Sequence, residues 1–599
     1  MSPRDNRFTI HVATVNGSGS QTANNTLLRA LFQMGIPVSG KNLFPSNIAG
    51  LPTWFTIRVD DRGYVARHKR YDVLVAMNPE TSLADVAAMG PGSLILLNEG
   101  ALAPKVPADR TLVTIPFSKL VEPIVADVKL RKLVVNMVYV GVVAWLLGID
   151  PEEVDRALEA QLGRKKKALE MNRAAVQAGL EYAAANVARP PFQARRMDRT
   201  EGKILIDGNQ AGAMGAVFGG VTFVSWYPIT PSSSLAEQLE GFLDRYRRDP
   251  VTKKATFAVV QAEDEIAAIG MVLGASWAGA RAMTTTSGPG LSLMTEFTGY
   301  AYYAEIPAVI WDIQRIGPST GLPTRTSQAD LLTVAFLSHG DTKHVMLLPA
   351  TVEDCYEYGM LAFDLADRLQ TPVFVMSDLD IGMNTWMSDP FRYPEKPWDR
   401  GKVLSAEDLE RVGKFERYRD VDGDAIPYRT LPGTAHPLAA YFTRGSGHDE
   451  QARYTESSET YPRVMDRLAR KFDTARTLVP KPQVEEEKGS AVGLIAFGST
   501  HHAMGEARDR LREDGIGTSY LLLRAYPFSE EIRRFVESHE RLYVVEQNRD
   551  AQMASLLRME YPQWAGRFRS VLHYDGLPID AQTVIDGVRS RERAEVAAR

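Results

Sequence analysis

The chain has 599 residues, 44% of them hydrophobic, with 69 basic against 74 acidic side chains for a net charge of −5. That length is too great for one core and calls for about three or four domains, while so even a charge balance excludes a footprint for nucleic acid or an anionic membrane. The opening Ser2, Pro3, Arg4 and Asp5 lack the apolar run of a secretory signal, so a cytoplasmic protein is expected.

Residues 1–195 read as an α/β unit. A strand over Phe8–Val15 leads into Gly17-Ser18-Gly19-Ser20 and a helix over Thr22–Met34, and further strands are expected at Tyr71–Met77, Ser93–Asn98 and Leu112–Ile115. The uncharged stretch Leu133–Ile149 falls short of the ~20 residues that span a bilayer and reads as a buried helix. A helix over Pro151–Ala185 carries Arg164-Lys165-Lys166-Lys167, taken as a solvated face, and ends in the linker Arg189-Pro190-Pro191.

Residues 200–395 alternate again, with strands at Thr222–Tyr227, Ala255–Gln261, Ala282–Thr286, Ala308–Ile313, His344–Leu348 and Val373–Ser377, the pattern of a doubly wound parallel sheet. The single cysteine, Cys355, sits in a helix after Pro349; it can form no internal disulfide and cannot hold an iron–sulfur cluster, which takes four thiolates. Residues 396–489, rich in charge and in turn dipeptides, read as a connector with one helix near Arg463–Phe472. After Glu485-Glu486-Glu487, residues 490–599 form a third α/β unit with strands at Val492–Phe497, Gly517–Leu522 and Leu542–Glu546.

The chemistry concentrates in the second segment. The strand before Gln261 ends in Glu263-Asp264-Glu265, and a helix of small residues follows through Gly270, Gly274 and Gly279. Acids at such a junction cap the helix and complement its dipole, which suffices for Glu263 and Asp264. Upstream, Tyr227-Pro228-Ile229-Thr230-Pro231-Ser232-Ser233 follows a strand and enters a helix. Downstream come Thr284-Thr285-Thr286-Ser287-Gly288-Pro289-Gly290 and then Trp311-Asp312-Ile313-Gln314-Arg315, running on through Gly317-Pro318-Ser319-Thr320-Gly321 and Thr324-Arg325-Thr326-Ser327-Gln328-Ala329-Asp330.

In this order the motifs resemble those of 2-oxoacid:ferredoxin oxidoreductases, enzymes that use thiamine diphosphate. The resemblance implies an α/β fold with a pyrimidine-type doubly wound domain, and assigns Glu265 to the N1′ nitrogen of the cofactor's aminopyrimidine. A carboxylate there favours the tautomer whose 4′ nitrogen takes the proton from the thiazolium carbon. It places Tyr227, Pro228, Ile229, Thr286, Ser287 and Gly288 beside the cofactor and makes Thr230 a substrate contact. Arg315 matches the arginine that grips the substrate carboxylate, a task suited to a planar fork. Thr324 and Arg325 are the candidates for a distal carboxylate, which points to 2-oxoglutarate; a surface or interface role for Arg325 stays open.

Segments 490–599 and 1–195 resemble the transketolase C-terminal-like domain and the gamma domain of the same enzymes, the latter through Asn136-Met137-Val138 and Gly141. The loop Gly17, Ser18, Gly19, Ser20 lacks glycines expected at Ser20 and Thr22, and either a coenzyme A contact at the helix start or interface packing fits it. Gly447-His448-Asp449-Glu450 also resembles a family segment and reads as a surface loop, with His448 an alternative visitor to a partner's active site.

The chain has no Gly-Asp-Gly motif for Mg²⁺ and diphosphate. The resemblance therefore implies a beta subunit that brings the diphosphate, Mg²⁺ and a 4Fe–4S cluster, in a heterotetramer of two alpha and two beta chains. In such a complex the 2-oxoacid loses CO₂, electrons pass through the cluster to ferredoxin, and coenzyme A collects the acyl group; the reverse carboxylation, as in a reductive TCA cycle, is equally open. The same reaction on pyruvate, a branched-chain or an aryl 2-oxoacid, a non-redox thiamine enzyme and a silent scaffold remain as alternatives.

Overall fold

In the computed structural model, which describes residues 4–46 and 50–598 and side chains as far as residue 595, the chain divides into two units. Ser2 and Pro3, part of the reading of the N-terminus, lie outside the described residues.

The first unit comprises Met1–Ile206 with Asn384–Pro390 and Ile579–Ala581. Its sheet contains β1 (Arg7–Val15), β2 (Val38–Leu43), β3 (Pro52–Asp60), β4 (Val73–Ala76), β5 (Leu94–Asn98) and β6 (Thr111–Ile115), in the order β2-β3-β1-β4-β5-β6. β1 is the pivot: Ile10 lies opposite Val73 of the parallel neighbour and Ile57 of the antiparallel one. The expected buried helix runs over Val128–Leu147, capped by the Asp127 carboxylate on the Lys129 and Leu130 amides and closed by Gly148 in the left-handed region. Its backbone touches that of a second helix, Lys166–Asn186. A Cβ on Gly141 would lie 1.9 Å from the Val176 carbonyl oxygen, and one on Gly179 2.0 Å from that of Val138. Only glycine permits such an approach.

That crossing explains a departure from the sequence reading. Pro151–Ala185 is not one helix but two, Pro151–Leu162 and Lys166–Asn186, because the chain must turn back to lay Gly179 on Val138. The break falls at Gly163–Lys165, where Lys165 leaves helical geometry at φ −118°, ψ 70°, and Arg164 to Lys167 are exposed there.

The second unit holds Asp207–Met383, Phe391–Pro578 and Gln582–Arg599. Its main sheet contains β7 (Phe223–Trp226), β8 (Ala258–Gln261), β9 (Ala282–Thr286), β10 (Ala308–Ile316), β11 (Leu322–Thr326), β12 (Val345–Leu347), β13 (Pro372–Asp378) and, from farther along, Ala525–Tyr526. Its order is (Ala525–Tyr526)-β12-β13-β10-β9-β7-β8, all parallel except the Ala525–Tyr526 edge, while β11 folds back antiparallel on β10. The carboxyl ends of β7 to β10 therefore emerge side by side, the edge where open α/β sheets bind ligands. Cys355 is buried in the helix Val352–Leu369, and burial pushes its thiol well up.

The C-terminal sheet pairs Gln483–Glu485, Ser519–Leu523, Val492–Phe497, Arg541–Glu546 and Phe568–Leu572 in that order. Between the sheets the connector holds two helices, Ala406–Val412 and Thr460–Leu478, where the sequence reading expects one. The longer is anchored by Arg467 and Lys471 on the buried Glu305 carboxylate, with Lys471 Nζ at 3.1 Å.

Candidate active site

β7 to β10 each carry one of the motif segments at or just beyond their carboxyl ends. After β8 the chain turns at Asp264, whose carboxylate accepts from the Ala267 amide at 2.7 Å and starts the helix Glu265–Trp277. Asp264 is the cap, as its type and place dictate. Glu265, the next residue, points inward and is only 6% exposed. It lies against the turn after β9: a Cβ on Gly290 would sit 2.8 Å from Glu265 Cγ and 2.0 Å from Thr286 Oγ1. Thr286 and Ser287 are fully buried, and Ser287 Oγ meets no protein partner. A carboxylate held under a glycine turn, beside the buried Ser287 hydroxyl left without a partner, is a polar set that suits an aminopyrimidine.

Arg315 closes the other side. Its Nη1 donates to the Thr230 carbonyl at 2.6 Å and its Nη2 to the Thr320 carbonyl at 3.2 Å, while the buried Nε has no protein acceptor. Burial lowers the guanidinium's pKa, against the pull of Asp330 and Glu265. Thr230 is thus tied to Arg315 through its backbone. The rest of its loop is fixed from below: Asn209 Nδ2 donates to the Pro231 carbonyl, and the Ile229 amide donates to Ser233 Oγ at 3.0 Å each. Tyr227 and Pro228 stand exposed at the loop's start.

Arg315 lines an open cavity of about 850 Å³ together with Gly288, Thr320, Thr326, Asp330, Asn548 and Arg549. Its floor is built from distant sequence. Gln328 Nε2 donates to Asp378 Oδ2 and to the Phe497 carbonyl, and its Oε1 accepts from Thr500 Oγ1 and the Gln547 amide. Asn548 Nδ2 donates to the Gln328 carbonyl at 3.0 Å. The C-terminal domain therefore holds the loop Ser327-Gln328 in place, and Asn548 and Arg549 join the site from it.

Glu265, Thr230, Arg315, Thr286, Ser287 and Gly288 come together at one sheet edge. Thr324 and Arg325 are not among the cavity's lining residues; Arg325 Nη1 folds back onto the Thr324 carbonyl and hydroxyl at 2.9 and 3.1 Å. The loop Gly17, Ser18, Gly19, Ser20 belongs to the first unit, where Asn136 Nδ2 donates to the Ser18 carbonyl at 2.6 Å and Thr14 Oγ1 to Ser20 Oγ at 2.9 Å. His448 is not the surface residue expected from its segment: it is buried, with Tyr418 and Tyr303 centroids at 4.0 and 4.8 Å.

Two acids at the site escape sequence reasoning, the buried Asp312 and the cavity-lining Asp330. Both are quoted within the motif, but only an acid inside the apolar run Ala308–Ile313 signals anything unusual. Among the described residues no group of three or more His, Cys, Asp or Glu is placed to hold a metal ion.

Comparison with known proteins gives a consistent result. Residues 214–402 match the family model described as pyruvate flavodoxin/ferredoxin oxidoreductase, thiamine diphosphate-binding, and residues 9–182 that of pyruvate ferredoxin/flavodoxin oxidoreductase. The chain is 30% identical to 2-oxoacid:ferredoxin oxidoreductase 1, subunit alpha, of Aeropyrum pernix, over 96% of each. It is 36% identical to the 2-oxoglutarate synthase subunit KorA of Methanothermobacter thermautotrophicus, over 57% of this chain and 87% of that one. A solved structure of 2-oxoglutarate:ferredoxin oxidoreductase from Magnetococcus marinus, with 2-oxoglutarate, coenzyme A and succinyl-CoA bound, superimposes with a TM-score of 0.88 at 27% identity, covering 98% of this chain and all of that one.

Proposed function

Since the chain belongs to the family of 2-oxoacid:ferredoxin oxidoreductase alpha subunits, we propose that it serves a thiamine diphosphate-dependent oxidoreductase whose substrate is 2-oxoglutarate. The reaction converts 2-oxoglutarate and coenzyme A to succinyl-CoA and CO₂, with ferredoxin as the electron carrier. The observation that carries this reading is the buried Glu265 carboxylate seated under Gly290, with Arg315 oriented beside it. The substrate choice is supported by the 2-oxoglutarate synthase subunit and the 2-oxoglutarate-bound enzyme among its relatives.

Thiamine diphosphate, when bound, supplies the nucleophilic carbon and the electron sink for decarboxylation. Glu265 would hold the pyrimidine by accepting a hydrogen bond from it, and a carboxylate at that place would favour the proton-accepting form of the ring. Thr286, Ser287 and Gly288 would line the cofactor's place together with Tyr227, Pro228 and Ile229. Arg315 receives the carboxylate next to the ketone; its fork is already fixed by two carbonyls, so little side-chain entropy is lost on binding. Thr230 offers a hydroxyl to the same substrate. Thr324 and Arg325 serve the distal carboxylate once Arg325 releases the Thr324 carbonyl and hydroxyl. Gly17 to Ser20, at the head of a helix, contact coenzyme A through backbone amides.

A partner beta subunit completes this machine by holding the diphosphate, Mg²⁺ and the 4Fe–4S cluster, in a heterotetramer of two alpha and two beta chains in the cytoplasm. Turnover of the purified complex with coenzyme A and a panel of 2-oxoacids, followed by ferredoxin reduction, tests the substrate. We expect the largest kcat/KM with 2-oxoglutarate; a clear preference for pyruvate overturns that choice and leaves the class intact.

A further inference from the structure

We infer that Asp312 and Asp330 share one proton and act as a positioning pair for Arg315, setting how much negative charge the pocket turns toward an incoming 2-oxoacid. This rests on the reading of the pocket given above. Asp312 sits inside β10, with Thr286 of β9 and Met376 of β13 as its register neighbours. It is wholly buried, and neither of its carboxylate oxygens meets a donor from the protein; Asp330 Oδ2 lacks one as well. The Asp330 amide donates to Gln314 Oε1 at 3.2 Å, two residues along β10 from Asp312, and over that short span the two carboxyls interact. Carboxylates have only acceptors when ionised, so two of them in contact with no donor between them cannot both be charged. One carries a proton and donates it to the other.

The surroundings decide which oxygen keeps the charge. Asp330 lines the cavity with Arg315, and a Cβ on Gly288 would lie 2.9 Å from both Asp330 oxygens. The missing side chain lets this carboxylate reach the head of the helix Gly288–Ala304, where the dipole favours negative charge. Asp312 has no such compensation. Burial pushes the Asp312 carboxyl far up, and takes Asp330 only to about 6, restrained by its hydrogen bond to Asp312 and by Arg315. Of the other charged groups facing the site, Glu265 interacts with Arg315 from the helix after β8, Asp378 on β13 accepts from Ser499 Oγ at 2.6 Å and Gln328 Nε2 at 3.3 Å, and Arg549 and Asp550, which line the same cavity, pair with each other at 2.8 Å. Thr284, Thr285, Ser287 and Ser377 contribute only neutral hydroxyls.

The consequence is a pH-dependent competition. With Asp330 ionised, an anionic substrate approaching Arg315 meets a negative neighbour; with Asp330 protonated, it does not. Affinity for the 2-oxoacid should therefore rise as pH falls through about 6.

The experiment uses the intact complex, purified through this chain and freed of thiamine diphosphate. Binding of 2-oxoglutarate is followed by calorimetry between pH 5 and 8, and infrared spectra are taken with carboxyl-labelled aspartate. The wild type should bind about fivefold or more tightly on the acid side and show a protonated carboxyl band at neutral pH without substrate. Asp330→Asn should flatten the profile at the acid-side affinity. Asp312→Asn, which is likewise neutral and still donates to Asp330, should remove the band and leave the midpoint near 6. A flat wild-type profile, or no protonated band at neutral pH, overturns the pair. Loss of 2-oxoglutarate binding at every pH with the band still present instead strikes at the proposed substrate, so the two failures are told apart.

Discussion

Replacing Gly290 by alanine probes the seat of Glu265 most sharply. The new Cβ would fall 2.0 Å from Thr286 Oγ1, 2.8 Å from Glu265 Cγ and 3.0 Å from Glu265 Oε1. The first clash is relieved by rotating a threonine; the second is not, because Glu265 is buried in the first turn of its helix and Cγ lies near its backbone. The methyl therefore pushes the carboxylate off its aim. Overpacking of this kind costs about 1–3 kcal/mol, and if it falls on the carboxylate's orientation, thiamine diphosphate affinity drops roughly 5- to 150-fold. Cofactor titration of the apo complex by fluorescence quenching measures this, with thermal melting to confirm the fold. The double variant Gly290→Ala with Thr286→Ala removes only the 2.0 Å contact and should keep most of the loss. Wild-type affinity in the single variant would refute the packing argument.

Further outcomes follow from other contacts. Glu305→Gln leaves Arg467 and Lys471 buried without their carboxylate and should cost about 3–5 kcal/mol in denaturant unfolding. Burial alone would raise the Glu305 carboxyl, but Arg467 and Lys471 bring it down to about 2 from 4.5. Its contribution is therefore present above pH 4.5 and lost as pH falls toward 2; the variant should lack that part of the acid decline. Arg315→Lys forfeits the fork held by the Thr230 and Thr320 carbonyls and should raise KM for the 2-oxoacid about tenfold or more, read from initial rates. Cys355, buried and with its thiol pushed up, should resist a thiol reagent in the native complex and react fully in denaturant.

Much of the fold is legible in the sequence because its strands are short apolar runs: Ala282–Thr286 and Val492–Phe497 match their expected limits. β2 and β3 are not legible. Lys41 and Arg58 interrupt their pattern; Lys41 is accommodated by a group far off in sequence, the Trp386 ring at 4.0 Å, and Arg58 by the strand's own exit, in the ion pair with Asp60 and on the Ala66 carbonyl. The split of Pro151–Ala185 depends on Gly141 meeting Val176, a contact periodicity does not encode. In the site, Glu265 and Thr230 stand out because each follows a strand end, while Arg315, read as following the strand Ala308–Ile313, lies inside a strand that runs on to Ile316. Asn548 reaches the pocket only through the fold, and Asp312 and Asp330 gain meaning only when burial shows them without donors.

The claim beneath all of this is that the Glu265 carboxylate engages the cofactor's pyrimidine. Glu265→Gln keeps the size of the side chain and removes its charge. In that variant we predict weakened thiamine diphosphate binding and a fall in turnover of about 100-fold or more with saturating cofactor. Unchanged cofactor affinity together with wild-type turnover would contradict it.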